Sequence, residues 1–224
     1  MFTEMSVTYL DHMGDDKDVV NAARVSYNKE TKDLREQDTK LLHFLAKNDH
    51  WTPYAHCFLK LRVKVPIFVA RQWFKHTVGF AYNEVSRRYV SYEPEVFAPP
   101  AWRGRPEGNI KQGSSSKIMY LTKETTELME ASVNHYNDLI KQGIAPEMAR
   151  MVLPQATMTE FIVSGSLAAW ARFYNLRADD HAQHEIRWCA EQISTITAEK
   201  FPNGWAALCN KCQPQEWNFG EEKH

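Results

Sequence analysis

The feature that most constrains the fold is a strand pattern that runs directly into a helix pattern between residues 58 and 76. In the segment FLKLRVKV at 58–65, apolar and basic residues alternate strictly from Leu59 to Val65. A period of two predicts a β-strand with one face on the core and the other in water. Pro66 follows, a residue that the first position of a helix tolerates, and IFVARQWFKH continues at helical spacing. We therefore expect a sheet with a helix packed against it.

Elsewhere, helical spacing dominates. Apolar residues recur at intervals of three and four in most of the remaining segments, and a stretch rich in Pro, Gly and Ser interrupts them at 91–116. The patterns predict helices over 17–25, 34–47, 117–142, 155–172 and 180–200, a helical turn from Pro146 to Met151, and a second strand over 86–92. We expect an α+β fold, with a small mixed or antiparallel sheet covered by helices. It would form a single domain over residues 1–224, in which 91–116 is a loop-rich insertion.

Composition excludes several classes of protein. The 224 residues carry a formal net charge of -1, which argues against a uniformly basic nucleic-acid-binding chain. No apolar run reaches the roughly 18 residues of a membrane span, and the first residues lack the layout of a signal peptide. Four cysteines are too few for a disulfide scaffold, and the CNKC pair Cys209 and Cys212 lacks two further zinc ligands. We expect a cytoplasmic protein that binds neither membrane nor nucleic acid.

Positive charge is concentrated in one region of this neutral chain. Residues 58–90 contain seven Lys and Arg residues and a single acidic residue, Glu84. Lys60, Arg62 and Lys64 are explained by the wet face of the predicted strand. Arg71 and Lys75 lie four positions apart on one helix face, where like charges repel unless an anion or a carboxylate lies between them. This region is a candidate anion site.

The tetrapeptide SRRY at 86–89 strengthens that interpretation. In an extended chain, Ser86 and Arg88 point to one side while Arg87 points to the other. A hydroxyl beside a guanidinium fork is a common way to hold a phosphate. Two later arginines, Arg150 before MVLP and Arg177 in NLRADDHAQHE, are further candidates, although arginines near helix ends also serve as caps.

Together these residues resemble a known family. The segment RQWFKHTVGFAYNEVSRRY at 71–89 is similar to the signature of the flavin-dependent thymidylate synthases, whose usual form is Arg-His-Arg, seven residues and Ser. Further motifs follow in the family's order and cover most of the chain: AARVSYN at 22–28, HWTPYAH at 50–56, VKVPIFVARQW at 63–73, MARMVLP at 148–154 and NLRADDHAQHEI at 175–186.

The resemblance implies an α/β homotetramer with sites built from several subunits. Such an enzyme binds dUMP, FAD, NADPH and methylenetetrahydrofolate, transfers a one-carbon unit to C5 of uracil and reduces it with a hydride from the flavin. It makes dTMP without a cysteine nucleophile, and accordingly none of the four cysteines falls inside the motifs quoted above.

The resemblance also assigns site residues, position by position. Arg88 and Arg150 suit the phosphate of dUMP, and Arg177 suits the uracil carbonyl edge, where a cation stabilises charge that develops as C5 becomes nucleophilic. Ser86 is placed near the pyrimidine in an orienting role, which makes Ser86 and Arg177 the catalytic candidates. The full dUMP set is Gln72, Lys75, Ser86, Arg87, Arg88, Arg150 and Arg177. The flavin set is Ser26, His50, Thr52, Lys75, His76, Thr77, Glu84, Ser166, Arg172 and His181.

This sequence departs from the family pattern mainly on the flavin side. The Arg-His-Arg signature reads Lys75-His76-Thr77, and eight residues instead of seven separate Thr77 from Ser86. Ala168 stands where the family usually has arginine, and Ser166 and Arg172 stand where it usually has asparagines. Lysine keeps the charge but not the bidentate fork of arginine, and threonine keeps neither. Arg172 is a candidate to replace the lost cations.

These departures leave two alternative functions open. Transfer of the one-carbon unit to C5 leaves an exocyclic methylene on the pyrimidine, which either hydride or water can attack. If the flavin side delivers hydride poorly, water attacks first, and the enzyme would be a deoxypyrimidine nucleotide hydroxymethylase. Complete loss of flavin would leave a non-redox dUMP-binding homologue. A metal site is not expected. His181 and His184 lie three positions apart beside Glu185 and could begin such a site, but the sequence places no third ligand with them.

Overall fold

The computed structural model describes residues 2–90, 92–108, 113–120 and 123–209. Its elements are β1 Ser6–Met13, α1 Asp16–Arg24, α2 Glu36–Lys47, β2 Phe58–Pro66, α3 Ile67–Trp73, β3 Phe80–Glu84, β4 Trp102–Arg103, β5 Ile118–Met119, α4 Glu124–Lys141, α5 Pro146–Ala149, β6 Met158–Ser166, α6 Leu167–Arg177, α7 His184–Lys200 and α8 Pro202–Leu208. Short 3₁₀ turns occupy Val25–Tyr27, Thr52–His56 and Arg150–Val152. The α+β class is confirmed. The single domain over 1–224 stays a prediction, because it includes residues outside the described ones.

The antiparallel pair β2 and β6 forms the centre of the main sheet. The two strands pair along their full length, with Phe58 opposite Ser166 at one end. Lys60 and Arg62 on β2 face solvent, and Arg62 forms an ion pair with Glu160 of β6. The alternate side chains of β2 are fully buried: Leu59, Leu61, Val63 and Val65. The predicted strand with one wet face is confirmed.

The sheet has the order β1-β2-β6-β3, and each neighbouring pair is antiparallel. The strand predicted over 86–92 is wrong. The edge strand is β3, and Ser86 to Tyr89 form a turn in which the Tyr89 N–H donates to the Ser86 carbonyl at 2.9 Å. The alternation of buried and exposed side chains lies in β3 itself, where Phe80 and Tyr82 pack against the core while Ala81 faces solvent.

The helix predicted over 155–172 is also wrong in its first half, which forms β6. This strand has partners on both sides, β2 and β3, so it lies inside the sheet. Three consecutive apolar residues stand in the middle of β6: Phe161, Ile162 and Val163. A short apolar run does not distinguish a strand from a buried helix. The helical part of the segment starts only at Leu167, where the Ser166 hydroxyl caps α6 by accepting from the Ala169 N–H.

The lengths of these elements explain where the site forms. Helices α3 and α6 follow β2 and β6 without a linker, and antiparallel pairing makes them start from opposite ends of strands about 30 Å long. At about 1.5 Å per residue, neither helix returns the full length. Their C-terminal ends therefore converge over the middle of the sheet, where Trp73 of α3 packs on Phe173 of α6 at 4.8 Å between ring centroids.

The 91–116 stretch is not loop alone. Its strand β4 pairs with β5, which takes the place of the start of the helix predicted over 117–142, so α4 begins at Glu124 and not at residue 117. Arg103 of β4 forms an ion pair with the buried Glu185 in the first turn of α7. The insertion is thereby attached to the helical layer.

The chain continues beyond the helix end predicted at Phe201–Pro202. Phe201 does end α7, but Pro202 opens α8, whose first turn is held by the buried carboxylate of Asp16. That carboxylate accepts from the Asn203 N–H at 2.7 Å and the Gly204 N–H at 2.8 Å. Cys209 is buried after α8, while Cys212 lies outside the described residues. None of the described helices is long and apolar enough to cross a bilayer.

Candidate active site

Three predicted site residues meet where α3 and α6 converge. The Arg177 guanidinium donates from Nε to His76 Nε2 at 2.9 Å and from Nη2 to the Gln72 carbonyl oxygen at 3.0 Å. These contacts join residues about a hundred positions apart in sequence. A planar guanidinium with two fixed acceptors has a defined orientation. We call Gln72, His76, Arg177 and Gln183 the His76–Arg177 cluster.

His76 is held in its neutral form at this point. Its ring is half-buried and packs on Phe173 at 4.7 Å between centroids. Burial lowers the pKa of His76, and the nearby guanidiniums of Arg177 and Arg172 act in the same direction, which together brings it to about 4. Since Nε2 accepts from Arg177, the ring proton is on Nδ1.

Gln183 is the member of the cluster that sequence reasoning missed. Its side-chain oxygen accepts from Gln72 Nε2 at 2.6 Å, so the side chain of Gln72 is held by α7's N-cap residue while its backbone holds Arg177. Gln183 lies inside the motif NLRADDHAQHEI, but nothing in the spacing distinguishes it from its neighbours.

Ser86 and Arg88 do converge, although by a turn and not by an extended strand. The Ser86 hydroxyl accepts from the Arg88 N–H at 3.3 Å and from Arg88 Nε at 3.4 Å. The Arg88 side chain is exposed and lies over the Tyr89 ring at 5.2 Å. The turn thus presents a hydroxyl and a guanidinium together at the surface, which suits an anionic group.

The turn is fixed to the sheet on its N-terminal side. The Val85 N–H donates to the Glu160 carbonyl at 2.8 Å, and the carboxylate of Glu84 accepts from the Thr159 hydroxyl at 2.6 Å. The chain immediately before Ser86 is therefore anchored to β6.

Arg87 points into a different environment. It donates from Nη1 to the Tyr92 carbonyl oxygen at 2.9 Å and lies over the Tyr92 ring at 4.6 Å from its centroid. It also lines a cavity of about 210 Å³ with Lys64 and Glu95, which form an ion pair at 2.6 Å. The predicted dUMP residue Arg87 is thus engaged with its own loop.

Two predicted flavin residues meet at the N-terminus of α6. The loop 77–79 lies against it: the Ser166 N–H donates to the Gly79 carbonyl at 3.1 Å, and Arg172 Nη2 donates to the Val78 carbonyl at 3.0 Å. Gly79 has φ +81°, and a Cβ there would lie 2.9 Å from the Cβ of Ala169. We call Gly79, Ser166 and Arg172 the α6 N-terminal surface.

The N-terminus of α6 has few free backbone N–H groups that could bind an anion. The Leu167 N–H donates to the Cys57 carbonyl at 2.8 Å, and the Ala169 N–H donates to the Ser166 hydroxyl at 3.3 Å. Ala168 is buried and uncharged. Any strong anion binding here must therefore come from side-chain cations.

Lys75 and Thr77 are the exposed flank of this surface. Both side chains are exposed on either side of His76, and in the described part of the chain neither makes a hydrogen bond or ion pair. Lys75, predicted for both dUMP and flavin, is therefore an unrestrained cation beside the cluster.

The remaining predicted residues lie apart. Ser26 is exposed on the 3₁₀ turn after α1, and His50 and Thr52 are exposed at the turn that packs α1 against α6. Arg150 is exposed, and among contacts between described residues its guanidinium donates only to the Glu147 carbonyl of its own turn, at 3.3 Å. His181 is exposed, with its backbone near Gly113.

Acidic and histidine side chains near α7 do not gather around an ion. Glu185 is paired with Arg103, and His184 Nδ1 lies 3.4 Å from Arg187 Nη2. Over residues 2–209, apart from the undescribed gaps, no group of three or more His, Cys, Asp or Glu is placed to hold a metal.

Comparison with known proteins matches this arrangement to one family. The model of the thymidylate synthase complementing protein family matches residues 8–203. A flavin-dependent thymidylate synthase of Thermosipho africanus is 39% identical over 197 residues, covering 86% of each chain. Another, of Thermus thermophilus, is 40% identical over 206 residues and covers 90% of this chain and 74% of the relative.

Solved structures agree with the sequence comparison. The fold is similar to that of PolB from Streptomyces cacaoi, a UMP/dUMP methylase crystallised with 5-Br dUMP, with a TM-score of 0.80 and 27% identity. The match covers 92% of this chain and 95% of PolB. These findings confirm the resemblance carried by the motifs, and the chain belongs to the family of the flavin-dependent thymidylate synthases.

Proposed function

We propose that this chain makes dTMP from dUMP as a flavin-dependent thymidylate synthase. The observation that carries the proposal is the His76–Arg177 cluster, which fixes the guanidinium of Arg177, the residue that the resemblance assigns to the uracil carbonyl edge. Membership of the family supports it, as does the UMP/dUMP methylase fold that the chain resembles.

The nucleotide is held at two ends in this proposal. Arg88 binds the phosphate end, because its guanidinium is exposed at a turn that the sheet fixes on its N-terminal side. Arg177 binds the base end and stabilises negative charge on the uracil carbonyl while C5 attacks the one-carbon unit of methylenetetrahydrofolate. Ser86 orients the nucleotide, since no base lies within hydrogen-bond distance of its hydroxyl in the described part of the chain.

The residues around the α6 N-terminal surface fit FAD by charge. Lys75 and Arg172 supply exposed cations for a pyrophosphate, and the Thr77 hydroxyl adds a donor. Glycine at position 79 lets the 77–79 loop lie close against α6 and beside the guanidinium of Arg172. When bound, the flavin would supply the hydride that completes the methyl group, and NADPH would supply the hydride that regenerates it.

A shared site between subunits accounts for the residues that lie apart. Arg150 is exposed on a separate turn, and Ser26 and Thr52 lie beside the exposed apolar side chains of Tyr27 and Trp51. Packing a second copy there would cover these aromatic rings and bring their polar neighbours to another subunit's site. We propose the homotetramer on this basis. A cytoplasmic location stays a prediction.

The direct test combines the visible spectrum of the protein with the rate of NADPH oxidation. Purified protein titrated with FAD is expected to show the visible absorption of bound flavin, and NADPH oxidation should then depend on both dUMP and methylenetetrahydrofolate. A protein that binds dUMP but never FAD would instead support the non-redox homologue. Absence of both flavin binding and dTMP would refute the proposed function.

A further inference from the structure

The orientation of Arg177 depends on two acceptors, and one of them can be removed by mutation. The Gln72 acceptor is a backbone carbonyl, which every substitution at position 72 retains. The other is the His76 ring, which accepts through Nε2 at 2.9 Å. Neither bond uses Nη1, so that amino group keeps its donors for a ligand.

The surroundings of His76 favour this acceptor role. Its ring packs on Phe173, and its own backbone carbonyl accepts from the Tyr82 hydroxyl at 2.7 Å, which holds the residue from the sheet side. The titratable groups that face the ring are Arg177 and Arg172, both cations. A protonated imidazole could not accept from Arg177 and would be repelled by both arginines.

We propose that His76 is a positioning residue for Arg177 and acts on nucleotide binding, in addition to any contact it makes with flavin. Its neutral ring holds the guanidinium in the plane in which Nη1 meets the carbonyl of the pyrimidine base. The proposal rests on the proposed function, since it takes dUMP as the ligand of Arg177. It assigns to the central residue of Lys75-His76-Thr77 a role in the nucleotide half of the site.

A matched pair of variants tests the acceptor itself. In His76→Gln the side-chain oxygen reaches about as far from the backbone as Nε2 does, whereas in His76→Asn it reaches only as far as Nδ1. Both variants carry the same amide group. We expect His76→Gln to bind dUMP within a few-fold of the parent protein and His76→Asn to lose about tenfold or more, measured calorimetrically at saturating FAD.

A double-mutant cycle shows whether the loss passes through Arg177. If His76 acts by positioning, then Arg177→Gln and the double variant His76→Asn/Arg177→Gln should bind dUMP equally, because the group being positioned is already gone. FAD affinity, titrated separately, should change alike in His76→Asn and His76→Gln. Thermal unfolding of each variant verifies that it is folded.

Specific results would overturn the proposal. Equal dUMP affinities for His76→Asn and His76→Gln would contradict it, and so would losses that multiply in the double variant. A loss confined to FAD would return His76 to a flavin role alone. Failure of the proposed function is distinguishable, since the parent protein would then show no dUMP binding or no dTMP at all.

Discussion

The two halves of the candidate site differ in how firmly their polar groups are held. In the His76–Arg177 cluster, every side chain is half-buried and has at least one hydrogen-bond partner from another element. On the flavin side, Lys75, Thr77 and Arg172 are exposed, and only Arg172 has a protein partner among the described residues. The base end is therefore organised before any ligand arrives, whereas the cations of the flavin side must be ordered when the ligand binds.

This difference parallels the departures from the family pattern. Three of the substituted positions, Lys75, Thr77 and Arg172, have exposed side chains on the flavin side, whereas Ser166 and Ala168 are buried at the start of α6. Residues with several partners are costly to replace, since each lost partner leaves another buried polar group unpaired. Exposed cations can be exchanged at smaller cost, because water solvates the groups that remain.

The largest expected effect is at the phosphate end. Arg88→Lys keeps the charge but removes the fork that bonds Ser86, so dUMP binding should weaken by about 1–3 kcal/mol. Calorimetric titration measures it, with deoxyuridine as the ligand that lacks the phosphate and Arg105→Lys, an exposed arginine, as the matched control. Equal losses for dUMP and deoxyuridine would remove Arg88 from the phosphate.

The next effect concerns the close contact under the flavin side. Gly79 and Gly143 have nearly the same φ, +81° and +84°, but only at Gly79 would a Cβ meet other atoms. Alanine costs about 1 kcal/mol at either position from the backbone, and at Gly79 it also collides with Ala169. Urea unfolding should therefore show Gly79→Ala to be less stable than Gly143→Ala by a further 1–2 kcal/mol, about the cost of a core overpacking.

The same pair separates stability from ligand binding. Gly79→Ala should also weaken FAD, because the loop 77–79 moves away from α6, while Gly143→Ala should leave FAD binding unchanged. If both variants behave alike in both measurements, the α6 N-terminal surface does not depend on this contact.

The smallest effect is a pH dependence of stability. His76 has a pKa of about 4 in the folded protein against 6.5 ordinarily, so between these values the unfolded state binds the additional proton. The contribution of the neutral ring is complete above about pH 6.5 and is lost as the pH falls toward 4. The free energy of unfolding should thus fall less between about pH 7 and about pH 5 in His76→Gln than in the parent. His43→Gln, at an exposed position on α2, is the control. An unchanged slope in His76→Gln would show that the ring is not held neutral.

Local patterns predicted part of this architecture and failed for clear reasons elsewhere. β2 and α3 follow from alternation and from Pro66, because each element buries one face only. β6 was predicted as helix because its three consecutive apolar residues, at 161–163, interrupt the alternation that β2 keeps. Ser86 and Arg88 were correctly predicted to lie together, but the predicted geometry was wrong. They were expected on one side of an extended strand, and a turn brings them together instead.

The contact between Arg177 and His76 could not be predicted from local sequence patterns. Arg177 and Gln72 were assigned through the family motifs, but no spacing indicates that His76 bonds Arg177 or that Gln183 bonds Gln72. The first contact arises where the C-terminal ends of α3 and α6 converge, and the second arises where the N-terminus of α7 packs beside α3. Such contacts depend on the packed fold and not on any single segment.

The central claim is that the altered flavin side still delivers hydride to a nucleotide held by the intact base side. The most direct test is the mass of the product formed from dUMP with methylenetetrahydrofolate, FAD and NADPH. We expect a product heavier than dUMP by CH2, which is dTMP. A gain of CH2O under every reductant condition would contradict it, because water and not hydride would then have completed the reaction.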